Sequence, residues 1–460
     1  MGVAAKRRKT AENPRTRAVD AVVSSHPPQC PYLDTIDLAA LDFDFEKKCS
    51  SSLSPVHVYA CLCCGKYFSG RGKSTRAYDH SLEESHHVFM RLADGSTWCL
   101  PDGYAVGENA TLRRIRDVLR PAYDAKYVNE CVDACAPMWR RGLDGVEFLV
   151  GVTGLNNVGG TSDAAATGAN AVVQALNRVA PLRRAMLLLK DDEDGELPRC
   201  GPLTRAFSDL TKKIWNAKNF KGHSSPHEFS RAVRDAMKKR SVKSSDDALD
   251  FLRFFLNELK REELANGASQ SASESLVGTF QGEVEVVSRD VANANAAPSS
   301  TTSKTSPFLM LSMDLPAAPL FQDVMEKKII PQVSLERQLL KKFDGSKYRI
   351  TKLPEHLIVT YSRFAKNNFF VEKNPTIVTF PVRGLNLADH IPVPANEPAT
   401  YDLIANIVHD GTPDKGSYRA FVYHASDKNW YETQDLRVVE VLPQQVSLTE
   451  TYVQIYQRRR

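Results

Sequence analysis

Leu112, Ile115, Val118 and Leu119 recur at helical spacing and stop before Pro121, which predicts one amphipathic helix there. The same spacing returns from Leu182 to Leu189, continuing a pattern that includes Gln174. It returns over Phe207–Trp215, and again at Ala248, Leu249, Phe251, Leu252, Phe255, Leu256 and Leu259. Beyond about residue 280 the period changes. Phe280–Val287 alternates as a strand does. β-Branched and aromatic residues then concentrate at 309–313, 357–361, 376–380, 401–409, 418–424 and 451–456, each bounded by Pro, Gly or Asp. Helical patterns followed by strand patterns predict an α+β chain. Two low-complexity pieces, 265–275 and 293–306, read as loops, and 265–306 is expected to be a flexible insertion.

With 460 residues the chain has room for two or three domains with real cores. Its 60 basic and 55 acidic residues leave a net charge of +5, too weak a field for nucleic-acid binding by overall charge. No apolar run approaches the roughly 18 residues that mark a membrane helix. The polar first residues, with Lys6-Arg7-Arg8-Lys9, lack the apolar core of a secretion signal. That basic run is either a nuclear address or part of a solvated, disordered tail over 1–28. A Cys/His-rich domain is expected over 29–107, a helical linker over 108–141 and a larger domain over 142–460.

None of the nine cysteines lies beyond Cys200. The odd count and the Cys-x-x-Cys spacing point to reduced thiols and a metal site. Cys61, Cys64, His80 and His86 offer the ligands of one tetrahedral structural zinc ion. The alternative is a set of reduced core thiols, and Cys63 and His87 stand ready if the register is shifted by one.

The same block resembles the zf-UBP zinc finger. The matching runs are Cys30-Pro31-Tyr32-Leu33-Asp34, Leu41-Asp42-Phe43-Asp44-Phe45, Tyr59 to Phe68, and His86-His87-Val88-Phe89. Relatives that bind ubiquitin capture its C-terminal Gly-Gly with an Arg soon after the Cys-Gly. Here Lys66 follows Gly65 and offers a point charge in place of a planar fork, which argues against ubiquitin capture and for a protein-docking module.

From Gly151 to Arg458 the chain resembles the ubiquitin-specific proteases. The pieces are Gly154-Leu155-Asn156-Asn157 with Asn170 and Gln174, Phe280-Gln281-Gly282, Leu353-Pro354-Glu355-His356, Arg363-Phe364, Gly416-Ser417-Tyr418 and Trp430-Tyr431. The resemblance implies a papain-like fold of helical thumb, β palm and β fingers. It implies a catalytic Cys at the start of the Gln174 helix, a His as its base and a carboxylate or amide orienting that His. The nucleophile position falls on Ser162 when read forward from Asn157, and on Thr167 when read backward from Gln174. Ser417 occupies the base position and Gln434 the orienting one, with Asp435 beside it. His409 and His424 lie in strand-like runs and are read as structural. The fingers lack the zinc cysteines of active relatives. A non-catalytic protein is expected.

What remains suits a scaffold. Phe380, Trp430 and Tyr431 read as core. Arg363, Phe364, Lys366, Asn367, Asn368, Phe369 and Phe370 have the composition of an interface hot spot, the alternative being an ordinary strand–turn–strand. Further runs, among them Asp314 to Leu320, Lys366 to Pro375 and Tyr401 to Gly411, resemble the Sad1 family of inactive protease-like spliceosomal proteins. That resemblance implies a nuclear splicing factor supporting the U4/U6.U5 tri-snRNP through protein contacts, with RNA contacted indirectly if at all, and no membrane. The alternatives are a ubiquitin or ubiquitin-like reader without catalysis, and a weak deubiquitinase using Ser162 or Thr167.

Overall fold

Successive residues of the strand His356–Ser362 enter two different cores. Leu357, Val359 and Tyr361 join one apolar cluster, while Ile358 joins another on the opposite face. Strand side chains alternate in direction, so a sheet covered on both faces needs apolar residues in continuous runs. The strand Thr451–Arg458 follows the same rule, with Val453 and Ile455 in one cluster and Tyr456 in the other.

These strands belong to an eight-stranded sheet in the computed structural model, which describes residues 30–133, 138–158, 163–189, 200–243, 246–265, 275–289, 301–316, 330–343, 348–366, 371–394, 397–413 and 415–459. Its order is Met310–Asp314, His356–Ser362, Thr451–Arg458, Thr400–Gly411, Gly416–His424, Asn429–Gln434 and Arg437–Val441, with Leu385–Asn386 pairing beside Thr400–Gly411. Only the first pair is parallel. The C-terminal strand lies between His356–Ser362 and Thr400–Gly411, so the end of the chain closes the sheet.

The helices Asp163–Leu176, Ala180–Leu188, Pro202–Ile214, His227–Lys239 and Ala248–Ala265 share the larger core. Pro202 opens its helix at a position where a missing N–H costs nothing, and Leu203, Phe207, Leu210 and Ile214 form the buried stripe. Phe255 receives Phe207 edge-on at 4.9 Å and Phe229 at 5.6 Å. Each such buried side chain contributes about 1.5–3 kcal/mol through apolar area removed from water. Asp247 caps the last helix through Leu249 N–H at 2.8 Å and Asp250 N–H at 3.0 Å, and accepts the Tyr452 hydroxyl at 2.7 Å.

The described chain forms two compact units. One takes residues up to Leu41 with Lys47–Arg113; the other takes Asp42–Glu46 with the residues from Arg114 onward. The first unit is a four-stranded antiparallel sheet ordered Tyr67–Ser69, Val58–Cys61, Val88–Arg91 and Thr97–Cys99, with the helix Arg76–Glu83 against it. Tyr59, Phe68, Ala77, Phe89 and Leu100 make its core. The second unit holds Asp44 through Lys213 at 2.9 Å, Lys221 at 3.1 Å and the Ser225 amide at 2.9 Å. Burial opposes ionisation of Asp44, but the two lysines prevail and keep its carboxyl below the usual range.

Four expectations change. The division between units falls inside the helix Ala110–Leu119, so 108–141 is not a separate linker. Leu182–Leu189 does not continue the Gln174 helix; helix is interrupted between Leu176 and Ala180. Within 265–306 the expected strand is present as Gly282–Arg289, but most of Thr301–Phe308, read as a loop, is a strand too, paired antiparallel with it over eight positions, and Tyr348–Lys352 joins them. Backbone pairing holds this sheet where apolar patterning is weak. The fourth is Arg363, which belongs to the core. The tail 1–28 lies outside the described residues.

Candidate functional site

Cys61 ends a strand, and Cys64 follows on a tight turn in which Gly65 N–H donates to Cys61 O at 2.9 Å. Gly65 is required there: its φ is +72°, and a Cβ would lie 2.1 Å from Ala40 O. His80 comes from the helix Arg76–Glu83, and His86 from the link to the next strand. The four ligand atoms lie within 4.8 Å of one another. Cys64 Sγ is 3.5 Å from His80 Nε2, which is 3.1 Å from His86 Nδ1. A tetrahedron with metal–ligand bonds of about 2.0–2.3 Å has edges of about 3.3–3.8 Å, so two thiols and two imidazoles fit one zinc ion. The neighbouring candidates are engaged elsewhere. Cys63 Sγ meets Thr35 Oγ1 at 3.3 Å, and His87 Nδ1 meets Leu100 O at 2.8 Å under the Tyr32 ring.

In the larger unit, Ser162 lies outside the described residues. Thr167 is buried in the helix Asp163–Leu176, where its Oγ1 accepts the Tyr418 N–H at 3.1 Å. That helix begins four residues before Thr167, so the amide of Thr167 falls within the helical ladder and is not one of the free N-terminal donors. Ser417 stands on the adjacent strand, and Gln434 Nε2 donates to its Oγ at 3.2 Å. The structure thus bonds Ser417 to Gln434 and places Thr167 against Tyr418, the residue that follows Ser417. Asn170 and Gln174 staple the helix to the preceding loop. Asn170 Nδ2 reaches Asn156 O at 3.2 Å and Asp435 Oδ1 at 2.9 Å, and Gln174 Nε2 reaches Thr153 O at 2.7 Å.

His409 belongs to the core. It is buried, with its ring edge-on to Tyr418 at 4.9 Å and to Phe364 at 5.0 Å. Its Nε2 occupies the space a Cβ on Gly416 would need, only 2.1 Å away, so position 416 admits glycine alone. Burial, aided by Lys373 and Arg363, pulls its pKa down to about 4. His424 is likewise buried, reaches Val150 O at 3.1 Å through Nε2, and is pulled down to about 4 by burial and then by Arg178.

The expected hot spot is corrected at its start. Arg363 is 1% exposed and serves the core. Its Nε and Nη2 donate to Thr451 O at 3.0 and 2.8 Å, and Nη1 to Asn374 O at 2.6 Å and Thr376 O at 2.9 Å. A planar fork can bind three carbonyls at a strand crossing, which is why a charged residue is drawn inside. Phe364 packs edge-on against His409 and Tyr452. Lys366 lies in the strand Phe364–Lys366, while Asn367, Asn368, Phe369 and Phe370 lie outside the described residues. Phe380, Trp430 and Tyr431 are buried, as expected. Asp247, which caps a helix and holds a tyrosine, was missed; its signal was an acid directly before an apolar periodic run.

Residues 153–456 match the family described as ubiquitin carboxyl-terminal hydrolase, and residues 47–111 match zf-UBP, the Zn-finger in ubiquitin-hydrolases and other proteins. The chain is 41% identical to "Ubiquitin carboxyl-terminal hydrolase 39" of Homo sapiens, over 94% of this chain and 80% of that protein. It is 29% identical to "Pre-mRNA-splicing factor SAD1" of Saccharomyces cerevisiae, over 100% of both. Among solved structures it is similar to that described as the crystal structure of an essential yeast splicing factor. The TM-score is 0.75 at 27% identity, covering 93% of this chain and 100% of the other. The expected zinc-finger and protease-like folds are both present.

Proposed function

Because the chain belongs to the ubiquitin carboxyl-terminal hydrolase family, and long-range relatives carry the names of splicing factors, we propose that it is a non-catalytic pre-mRNA splicing factor. In this reading it is a nuclear scaffold that supports the U4/U6.U5 tri-snRNP through contacts with its proteins. The observation that supports the non-catalytic part is the set of hydrogen bonds at the positions that the resemblance assigns to the reaction centre. Thr167 Oγ1 accepts a backbone amide, and Ser417 Oγ accepts from Gln434. A hydroxyl needs a base to attack a carbonyl, and a positioned base is worth about 10²–10⁴ in rate. Neither Ser417 nor Gln434 can take a proton near neutral pH. Thr167 instead joins the helix to the sheet, and Ser417 and Gln434 join two neighbouring strands, which is packing that a scaffold uses.

Cys61, Cys64, His80 and His86 are assigned as ligands of one structural zinc ion, which would cross-link the turn, the helix and the link that carry them. Lys66 is exposed beside this turn and does not reproduce the arginine fork of ubiquitin-capturing relatives.

Ubiquitin carrying a C-terminal electrophile, together with a fluorogenic ubiquitin substrate followed for hours, tests the absence of catalysis. No covalent adduct and no release above the rate of a Thr167→Ala variant are expected. An adduct mapped to Thr167 or Ser162 would establish the deubiquitinase alternative.

A further inference from the structure

The eight-stranded sheet ends on Arg437–Val441, which pairs on one side with Asn429–Gln434 and has no neighbouring strand on the other among the described residues. The hairpin turns at Asp435 and Leu436, so its closing pair, Gln434 and Arg437, must exchange hydrogen bonds with each other. The alternation that follows gives Arg437, Val439 and Val441 to this ladder. It turns the N–H and C=O groups of Val438 and Glu440 to the open edge.

Edges of this kind are ordinarily blunted by lysine, proline or a bulge. This one has none of the three: its sequence is Arg-Val-Val-Glu-Val, and its ladder runs without a register shift. Apolar side chains line it instead, with Leu436 53%, Val439 39% and Leu442 66% exposed. The strand is also firmly seated. Val438 packs against the core on one face of the sheet and Val441 against the core on the other. An added strand would extend both faces of a surface that is already formed, so little ordering is needed on this side of the contact.

Charge decides what kind of strand fits. Arg437 already pairs with Glu432 at 3.3 Å. Glu440 is exposed and makes no ion pair among the described residues. Residues opposed across an antiparallel ladder share a face, and Arg437 and Glu440 lie on opposite faces. No antiparallel register of two copies therefore sets Arg437 against Glu440, and self-pairing leaves the carboxylate facing an apolar residue or its own twin. We propose that Arg437–Val441 binds an antiparallel β-strand of another protein, one that sets lysine or arginine opposite Glu440 and β-branched residues opposite Val439 and Val441. The backbone of that strand would bond to Val438 and Glu440, and its side chains would supply the specificity. This surface belongs to the sheet and does not depend on the splicing role.

Fluorescence anisotropy of the full chain with two labelled peptides tests this. One has the core Ile-Lys-Val-Thr-Thr, which in the antiparallel register places its lysine opposite Glu440; the other has glutamate in place of that lysine. Saturable binding of the lysine peptide is expected, about fivefold tighter than that of the glutamate peptide, with new amide-exchange protection at Val438 and Glu440. Glu440→Lys is expected to reverse the preference between the peptides. Val439→Lys, which puts a lysine on the edge, is expected to weaken the lysine peptide about fivefold. Both substitutions alter exposed side chains, and unchanged thermal midpoints are expected. The proposal is overturned if neither peptide saturates, if Glu440→Lys leaves the preference as it was, or if the peptide binds while the Val438 and Glu440 amides stay unprotected. Edge protection that grows with the concentration of the chain alone would also overturn it, since that marks self-pairing.

Discussion

A charged side chain is drawn wholly into the core at Arg363, and its environment makes the consequence calculable. Its removal leaves the carbonyls of Thr451, Asn374 and Thr376 without their donors. Each unsatisfied buried acceptor costs about 1–3 kcal/mol. Arg363→Ala is therefore expected to destabilise the larger unit by about 3–5 kcal/mol, read from urea midpoints, while an exposed Arg437→Ala shifts it by less than about 0.5 kcal/mol. His409 and His424 make a second residue-scale case. Their folded pKa values, about 4, lie below the ordinary 6.5, so between those values the unfolded chain takes up protons that the folded chain refuses. The stability they contribute is complete above pH 6.5 and lost as the pH falls toward 4, on the order of 3 kcal/mol apiece. Urea midpoints at pH 7.5, 5.5 and 4.5 should fall in that order, and less steeply in a His424→Gln variant. A flat series would show that the buried imidazoles are protonated without penalty.

At the scale of elements, burial on both faces decided what could be read from the chain. The strands at 357–361, 401–409 and 451–456 were legible because β-branched, aromatic and other apolar residues dominate them. Trp139–Arg141 and Arg437–Val441 were not, because their side chains face mostly outward. The helix His227–Lys239 escaped for a related reason: only Phe229 and Val233 are buried along its length. Thr301–Phe308 carries the composition of a loop and becomes a strand through its ladder with Gly282–Arg289. The clustering of Cys61, Cys64, His80 and His86 was legible, since thiol and imidazole spacing along the chain brings their ligand atoms within 4.8 Å of one another. Arg363 was misplaced because composition cannot tell a charge serving carbonyls from a charge facing water. If Cys61, Cys64, His80 and His86 hold zinc, chelation should abolish amide protection across Val58–Cys61 and Val88–Arg91 while leaving Thr400–Gly411 protected. Metal analysis should give one zinc per chain; a metal-free, fully protected first unit would refute the assignment.

For the whole molecule, the family fold persists across the helices and the large sheet, and Thr167, Ser417 and Gln434 take part in its hydrogen bonding. The chain's relatives "Ubiquitin carboxyl-terminal hydrolase 39" and "Pre-mRNA-splicing factor SAD1" match it over most or all of their length, so both units, and not the protease-like unit alone, are shared. A scaffold built this way should act by occupancy and not by turnover. Affinity purification of the full chain from nuclear extract at moderate salt, followed by sequencing of the recovered RNA and mass spectrometry of the recovered protein, tests this most directly. The expected result is co-recovery of U4, U5 and U6 RNAs with tri-snRNP proteins, unchanged by combined Thr167→Ala and Ser417→Ala substitution. Recovery of ubiquitin conjugates without those RNAs, or loss of the RNAs in a folded double variant, would contradict it.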